Sequence, residues 1–158
     1  MNQLKVMASR ILSLIENSTI TANACPSYIK PILDNINILR NSGKYKETLE
    51  AYINLIEKEN VVYITLLFGI YKTIALTGYL YEAKRVLLIG DEALKNNQSV
   101  INPLNLPNNF TDNLNRLEYA ISSEETLLNY LRVLSSSSAY IIPRSYNIIK
   151  KEYEQKLH

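Results

Sequence analysis

The spacing of apolar residues constrains the fold of this chain more than any other feature. Apolar side chains recur at intervals of three and four through most of the 158 residues, which is the period of an α-helix with one buried face. The chain has only 4 glycines and 5 prolines, whereas a many-stranded sandwich or barrel needs a turn signal about every 8–12 residues. No segment alternates convincingly between apolar and polar residues. The sequence therefore predicts an all-α protein.

The length is that of one ordinary domain, so we predict a single helical domain over residues 1–158. The predicted helices span residues 2–17, 27–41, 44–60, 61–77, 79–95 and 112–121, followed by one capped by Ser122 or Ser123 and one that begins near Pro143. Thr111 is the expected cap of the helix at 112. In the helix over 44–60, the apolar stripe predicts that Leu49, Tyr52, Ile53, Leu55 and Ile56 face inward. Residues 96–110 contain two prolines and form the longest irregular loop, and residues 111–158 supply the C-terminal helices.

The most apolar segment, residues 61–81, is long enough to cross a bilayer but carries Lys72 at its centre. Inserting a lysine there costs about 2.5–3.5 kcal/mol, so we expect a buried central helix and not a membrane span. The N-terminus lacks the pattern of a secretory signal peptide, and we therefore expect a cytoplasmic location.

The chain offers little material for catalysis. It has one cysteine, Cys25, and one histidine, His158 at the last position, which excludes a histidine-based triad and a cysteine zinc site. Asp91 and Glu92 are adjacent and point about 100° apart on a helix, so they do not form a paired-carboxylate site. The four glycines are not clustered as a phosphate-binding loop requires. We expect no enzymatic activity, no cofactor and no metal.

The charge distribution gives no reason to expect nucleic acid or a membrane surface as a direct partner. Basic and acidic residues number 17 and 15, for a net charge of +2. The basic doublets Lys84-Arg85 and Lys150-Lys151 are isolated and have acidic neighbours, whereas a nucleic-acid interface shows a basic stripe.

Two glycines mark an internal repeat. Gly43 and Gly78 lie 35 positions apart, and each separates two apolar helices of similar length. Gly43 suits a left-handed helix cap, and both glycines are expected where a side chain would be strained or would crowd the adjacent helix. The chain therefore contains two consecutive helix pairs, at about 27–60 and 61–95. One pair cannot bury its apolar face alone, whereas stacked pairs share a core.

These two units resemble the tetratricopeptide repeat, a 34-residue helix–turn–helix motif. The resemblance covers about 70 residues and is carried by Gly43, Tyr45, Glu47 and Thr48 in the first unit and by Gly78, Leu80, Glu82 and Ala83 in the second. The chain departs from the family pattern with Ile32 and Leu67 at its aromatic position, and with Asn60 and Lys95 at its closing proline. The resemblance implies antiparallel helix pairs stacked as a short α-solenoid with N- and C-terminal capping helices. The alternative is an ordinary helical bundle with a coincidental glycine spacing.

The resemblance also implies a concave groove lined by the first helix of each pair. The groove positions proposed to bind a partner are Lys30, Leu33, Asp34, Asn37, Arg40, Asn41, Thr65, Phe68, Lys72 and Leu76, and Gly69 and Ala75 share their face. Polar side chains that hold a peptide backbone, beside a small apolar pocket at Phe68 and Leu76, suit an extended or helical segment. The alternative is that these residues form a solvated helix face.

The sequence-based hypothesis is thus a non-enzymatic interaction module, an adaptor or small chaperone, that binds another protein or peptide in this groove. Small bacterial secretion chaperones with such repeats are similar in length, and this analogy rests on fold alone. Two alternatives stay open: a regulatory or peptide-sensing helical domain that acts with a DNA-binding partner, and a plain helical bundle with an unrecognised enzymatic role. A homodimer is also left open.

Overall fold

The computed structural model describes residues 3–96, 110–135 and 144–157. Within these ranges 79% of the residues are helical, which confirms the all-α class. The described α-helices are α1 (Gln3–Glu16), α2 (Lys30–Asn41), α3 (Tyr45–Glu59), α4 (Leu66–Leu76), α5 (Leu80–Asn96), α6 (Phe110–Ala120), α7 (Glu124–Ser135) and α8 (Tyr146–Lys156). A short 3-10 turn, Ser27–Ile29, leads into α2. The predicted helix start at Pro143 lies outside the described residues.

A pair of short strands replaces the predicted first turn of the fourth helix. Strand β1 (Ile20–Thr21) pairs in parallel with β2 (Val62–Tyr63), and Ile20 lies opposite Val62. The prediction of a helix over 61–77 was wrong at its start, since α4 begins at Leu66. Residues 61–65 are β-branched or aromatic and favour extended backbone. The segment after α1 then supplies a backbone partner, and this pairing decides the local structure.

The centre of the molecule is α4. Eight of its 11 residues are buried, because α3, α5 and α7 all pack against it. A helix that is apolar on almost every side belongs in a core or in a membrane. None of the described helices is both long and apolar enough to span a bilayer. The prediction of a buried central helix in the apolar segment is confirmed.

The two repeat glycines have the left-handed backbone that the sequence predicted, with φ of +77° at Gly43 and +90° at Gly78. At the end of α2 the Lys44 amide donates to the Leu39 carbonyl and the Gly43 amide donates to the Arg40 carbonyl, both at 3.0 Å. This bonding closes a helix through a left-handed residue and satisfies its last carbonyls. The chain therefore reverses between α2 and α3, and between α4 and α5, at equivalent glycines.

The boundaries of the irregular segment 96–110 need correction at both ends. Asn96 still belongs to α5, and Phe110 is the first residue of α6, so Thr111 does not cap this helix from outside. Phe110 is fully buried against Gly90, and its ring stacks on Phe68 with centroids 4.2 Å apart. This ring therefore anchors the first turn of α6 against α4 and α5. Residues 97–109 lie outside the described part of the chain.

The C-terminal helices attach to different parts of the core: α6 and α8 pack on α5, whereas α7 packs on α4 and α6. The Ser123 hydroxyl accepts a hydrogen bond from the Thr126 amide at 3.1 Å, which confirms Ser123 as the cap of α7. Helix α8 packs on α5, where Lys156 forms an ion pair with the buried carboxylate of Glu82. These contacts keep the last helix on the side of α5.

Candidate functional site

Six of the predicted groove residues meet at one cleft between α2, α3 and α4. The cleft has a volume of about 310 Å3. Its walls are formed by Leu33, Asn37 and Arg40 of α2, by Tyr52 of α3, by Thr65 just before α4, and by Leu66, Phe68, Gly69 and Lys72 of α4. We take this cleft as the candidate functional site, because positions 30 or more residues apart in sequence converge there.

The other predicted positions lie elsewhere. Lys30 and Asp34 form an exposed ion pair with each other at 3.4 Å, one turn before the cleft, and Asn41 is exposed beyond it. Leu76 was placed wrongly: only 1% of its surface is exposed, and Ala75 is fully buried too. Because α3, α5 and α7 cover α4, only three of the predicted groove positions on this helix reach solvent: Phe68, Gly69 and Lys72.

The Arg40 side chain is held in place by two neutral partners. Its Nη1 donates to the Tyr52 hydroxyl at 3.1 Å, and its Nη2 donates to Asn37 Oδ1 at 2.5 Å. Arginine carries five N–H donors in a planar fork, so these two bonds leave further donors for a ligand. The guanidinium is thus oriented while its charge stays uncompensated by these two contacts.

Gly69 makes room for this arrangement. A Cβ atom at this position would lie 2.0 Å from the Tyr52 hydroxyl oxygen and 3.3 Å from Arg40 Nη1. Glycine costs stability in the middle of a helix, by roughly 0.5–1 kcal/mol relative to alanine. The backbone of α4 can approach the hydroxyl only because this side chain is absent. Sequence reasoning assigned Tyr52 to the core and did not count it in the site; an isolated glycine within an apolar helix was the available signal.

Lys72 brings a second positive charge to the same cleft. Partial burial lowers the pKa of its ammonium group, and the nearby Arg40 guanidinium lowers it further. The ion pairs found among the described residues include neither Arg40 nor Lys72. Burial likewise raises the pKa of the Tyr52 hydroxyl, and Arg40 opposes that rise. The cleft therefore concentrates positive charge in partly desolvated surroundings.

An apolar wall completes the site. Phe68 is half-buried, rests on Phe110 in a stacked arrangement and lines the cleft together with Leu33 and Leu66. The Thr65 hydroxyl lies 3.3 Å from the Cys25 sulfur at the edge. With Asn37 Oδ1 engaged by Arg40, the amide N–H groups of Asn37 remain as donors. The arrangement offers hydrogen-bond donors and positive charge beside apolar surface.

The described residues include no group of three or more histidine, cysteine, aspartate or glutamate side chains able to hold a metal ion. Cys25 is a half-buried thiol. Comparison of the chain with protein-family models, with curated proteins and with solved structures finds no match. The functional argument is therefore built on the geometry of the cleft.

Proposed function

We propose that the protein is a non-enzymatic interaction module, an adaptor or small chaperone, that binds a segment of another polypeptide across the cleft between α2 and α4. The single observation that carries this proposal is the convergence of Asn37, Arg40, Phe68 and Lys72 on one open cleft. Donors beside apolar surface match the backbone carbonyls and side chains of a peptide.

The arrangement of the helices supports a stacked-pair architecture of the tetratricopeptide kind. Successive helices from α2 to α5 pack on one another, and so do α5 with α6 and α6 with α7. Helix α1 packs on α3 and α5, the second helices of the two pairs. In a stack of this kind the small rotation between successive repeats creates a concave binding surface.

The proposal is tested by selecting peptide binders from a random peptide library on the wild-type protein and measuring their affinity by fluorescence anisotropy. We expect the selected peptides to lose affinity for a variant with Asn37→Ala and Lys72→Ala together. Lys151→Ala, on the exposed face of α8, removes the same charge away from the cleft and serves as the control. Circular dichroism checks that each variant keeps its helical content. Selected peptides that bind the double variant as tightly as the wild type would place the binding site elsewhere.

A further inference from the structure

The two cations of the cleft identify the kind of segment that fits it. We propose that the cleft recognises an acidic side chain of the bound polypeptide, whose carboxylate lies between the Arg40 guanidinium and the Lys72 ammonium group. This inference rests on the proposed function and adds the chemical class of the partner. A carboxylate receives stronger hydrogen bonds from charged donors than a neutral acceptor receives from neutral donors.

The fold brings these cations together without an ion pair to any carboxylate among the described residues. Two other half-buried cations are paired, Lys84 with Glu118 and Arg144 with Glu152, both at 2.6 Å, whereas Arg85 forms no ion pair among the described residues. Arg40 and Lys72 belong to different helices, yet they face one cleft and repel each other. Two partly desolvated like charges are unfavourable unless an anion joins them. A bound carboxylate supplies the missing negative charge.

The guanidinium is also oriented before a ligand arrives. Tyr52 and Asn37 hold it through neutral atoms, so it loses less conformational freedom on binding than a free arginine side chain would. Tyr52 is itself buried and lies directly against the backbone of Gly69. The positioning residues of this site therefore come from all three helices around the cleft.

The surroundings favour an internal acidic residue of the partner over a chain terminus. Along α2, Asp34 on one side of the cleft and Asn41 on the other are exposed, so a bound chain can continue in both directions. Phe68 and Leu33 can contact an apolar residue next to the acidic one. We therefore commit to an aspartate or glutamate side chain within an extended or helical segment.

The test uses two libraries of short, terminally blocked fluorescent peptides that differ only at the central position, glutamate in one and glutamine in the other. We expect the glutamate library to bind about tenfold more tightly or better, as the loss of a charged hydrogen bond usually costs that much. Lys72→Met and Arg40→Gln should each remove most of this preference, whereas Lys151→Met should keep it. High ionic strength should also reduce the preference, since salt screens partly exposed charges.

A second readout reports directly on the cleft. With the lysines labelled by reductive 13C-methylation, the NMR titration of Lys72 should shift to a higher pKa when a glutamate peptide saturates the protein, because the carboxylate offsets the effects of burial and of Arg40. Tyr52 is the other titratable group that lines the cleft, and its hydroxyl is bonded to Arg40. If Arg40→Gln disturbs folding, the Lys72→Met variant and the titration of Lys72 in the wild-type protein still test whether a carboxylate binds in the cleft.

The possible outcomes separate the two proposals. Equal binding of the glutamate and glutamine libraries overturns the inference and leaves the proposed function standing. Absence of binding by either library overturns the proposed function. A third library has free termini and no acidic side chain. If it binds as tightly as the glutamate library, the cleft recognises a chain terminus and the choice of an internal side chain is wrong. If acetate raises the pKa of Lys72 but no peptide binds, the cleft is an anion site and the proposal of a polypeptide partner is wrong.

Discussion

Substitution of Gly69 by alanine tests the packing that builds the cleft. The new Cβ would lie 2.0 Å from the Tyr52 hydroxyl oxygen, far inside van der Waals contact, and 3.1 Å from the ring carbon that carries it. Only 3% of Tyr52 is exposed, so its ring has little space into which it can move. The substitution therefore forces the ring aside and breaks its hydrogen bond with Arg40.

The magnitude follows from three contributions. Overpacking of a well-packed site costs about 1–3 kcal/mol, and loss of the Arg40–Tyr52 hydrogen bond costs about 1 kcal/mol more. Alanine in place of glycine inside a helix returns about 1 kcal/mol. We expect Gly69→Ala to lower the free energy of unfolding by about 2 kcal/mol on the sum of these terms.

The assay is a double-mutant cycle with Tyr52→Phe, measured by urea denaturation and circular dichroism. Phenylalanine lacks the clashing oxygen and the hydrogen bond, so Gly69→Ala in this background should cost less than about 0.5 kcal/mol, which gives a coupling of about 1.5 kcal/mol, near the middle of the usual range. Gly43→Ala is the matched control, because a Cβ there meets nothing within 4 Å and its cost should not depend on Tyr52. Equal costs of Gly69→Ala in both backgrounds, or a stabilised single variant, would refute the reasoning.

Two further predictions concern the repeat and the attachment of α8. Gly43→Ala and Gly78→Ala should both destabilise the protein by about 1 kcal/mol or more, because both glycines have positive φ, and Gly78→Ala should cost more since its Cβ would lie 3.2 Å from an Ile149 carbon. If the two substitutions changed the free energy of unfolding in opposite directions, the prediction of an internal repeat would be wrong. Burial opposes ionisation of Glu118, but hydrogen bonds from Lys84 and Tyr153 outweigh it and lower the carboxyl pKa, so this group stabilises the fold above its unfolded pKa of about 4.5. Stability should fall as pH decreases through the lowered pKa, and a Glu118→Gln variant should show a smaller loss in the same acid titration.

Local sequence was sufficient for several parts of the structure. The stripe of apolar residues at helical spacing in α3 predicted Leu49, Tyr52 and Ile53 as buried, and all three are. The glycine positions predicted left-handed turns, because glycine adopts positive φ without a steric penalty. These features depend on neighbours within a few residues along the chain.

Other features depended on contacts between distant segments and were mispredicted or missed. Residues 62–63 form a strand because Ile20 and Thr21 lie beside them, although the apolar segment by itself reads as one helix. Leu76 shares a helical stripe with Phe68 and Lys72, yet the helices packed around α4 bury it. A periodic pattern says which side of a helix is apolar; it does not say how many neighbours that helix has.

The sequence by itself determined the all-α class, the central buried helix, the two glycine turns and six of the residues that line the cleft. Only the tertiary structure decided that Tyr52 belongs to this cleft, and that Arg40 and Lys72 meet there with no carboxylate from the described residues paired to them. The physical reason is that periodicity and turn preference are local properties of the backbone, whereas the pairing of charges depends on which helix faces come together in space.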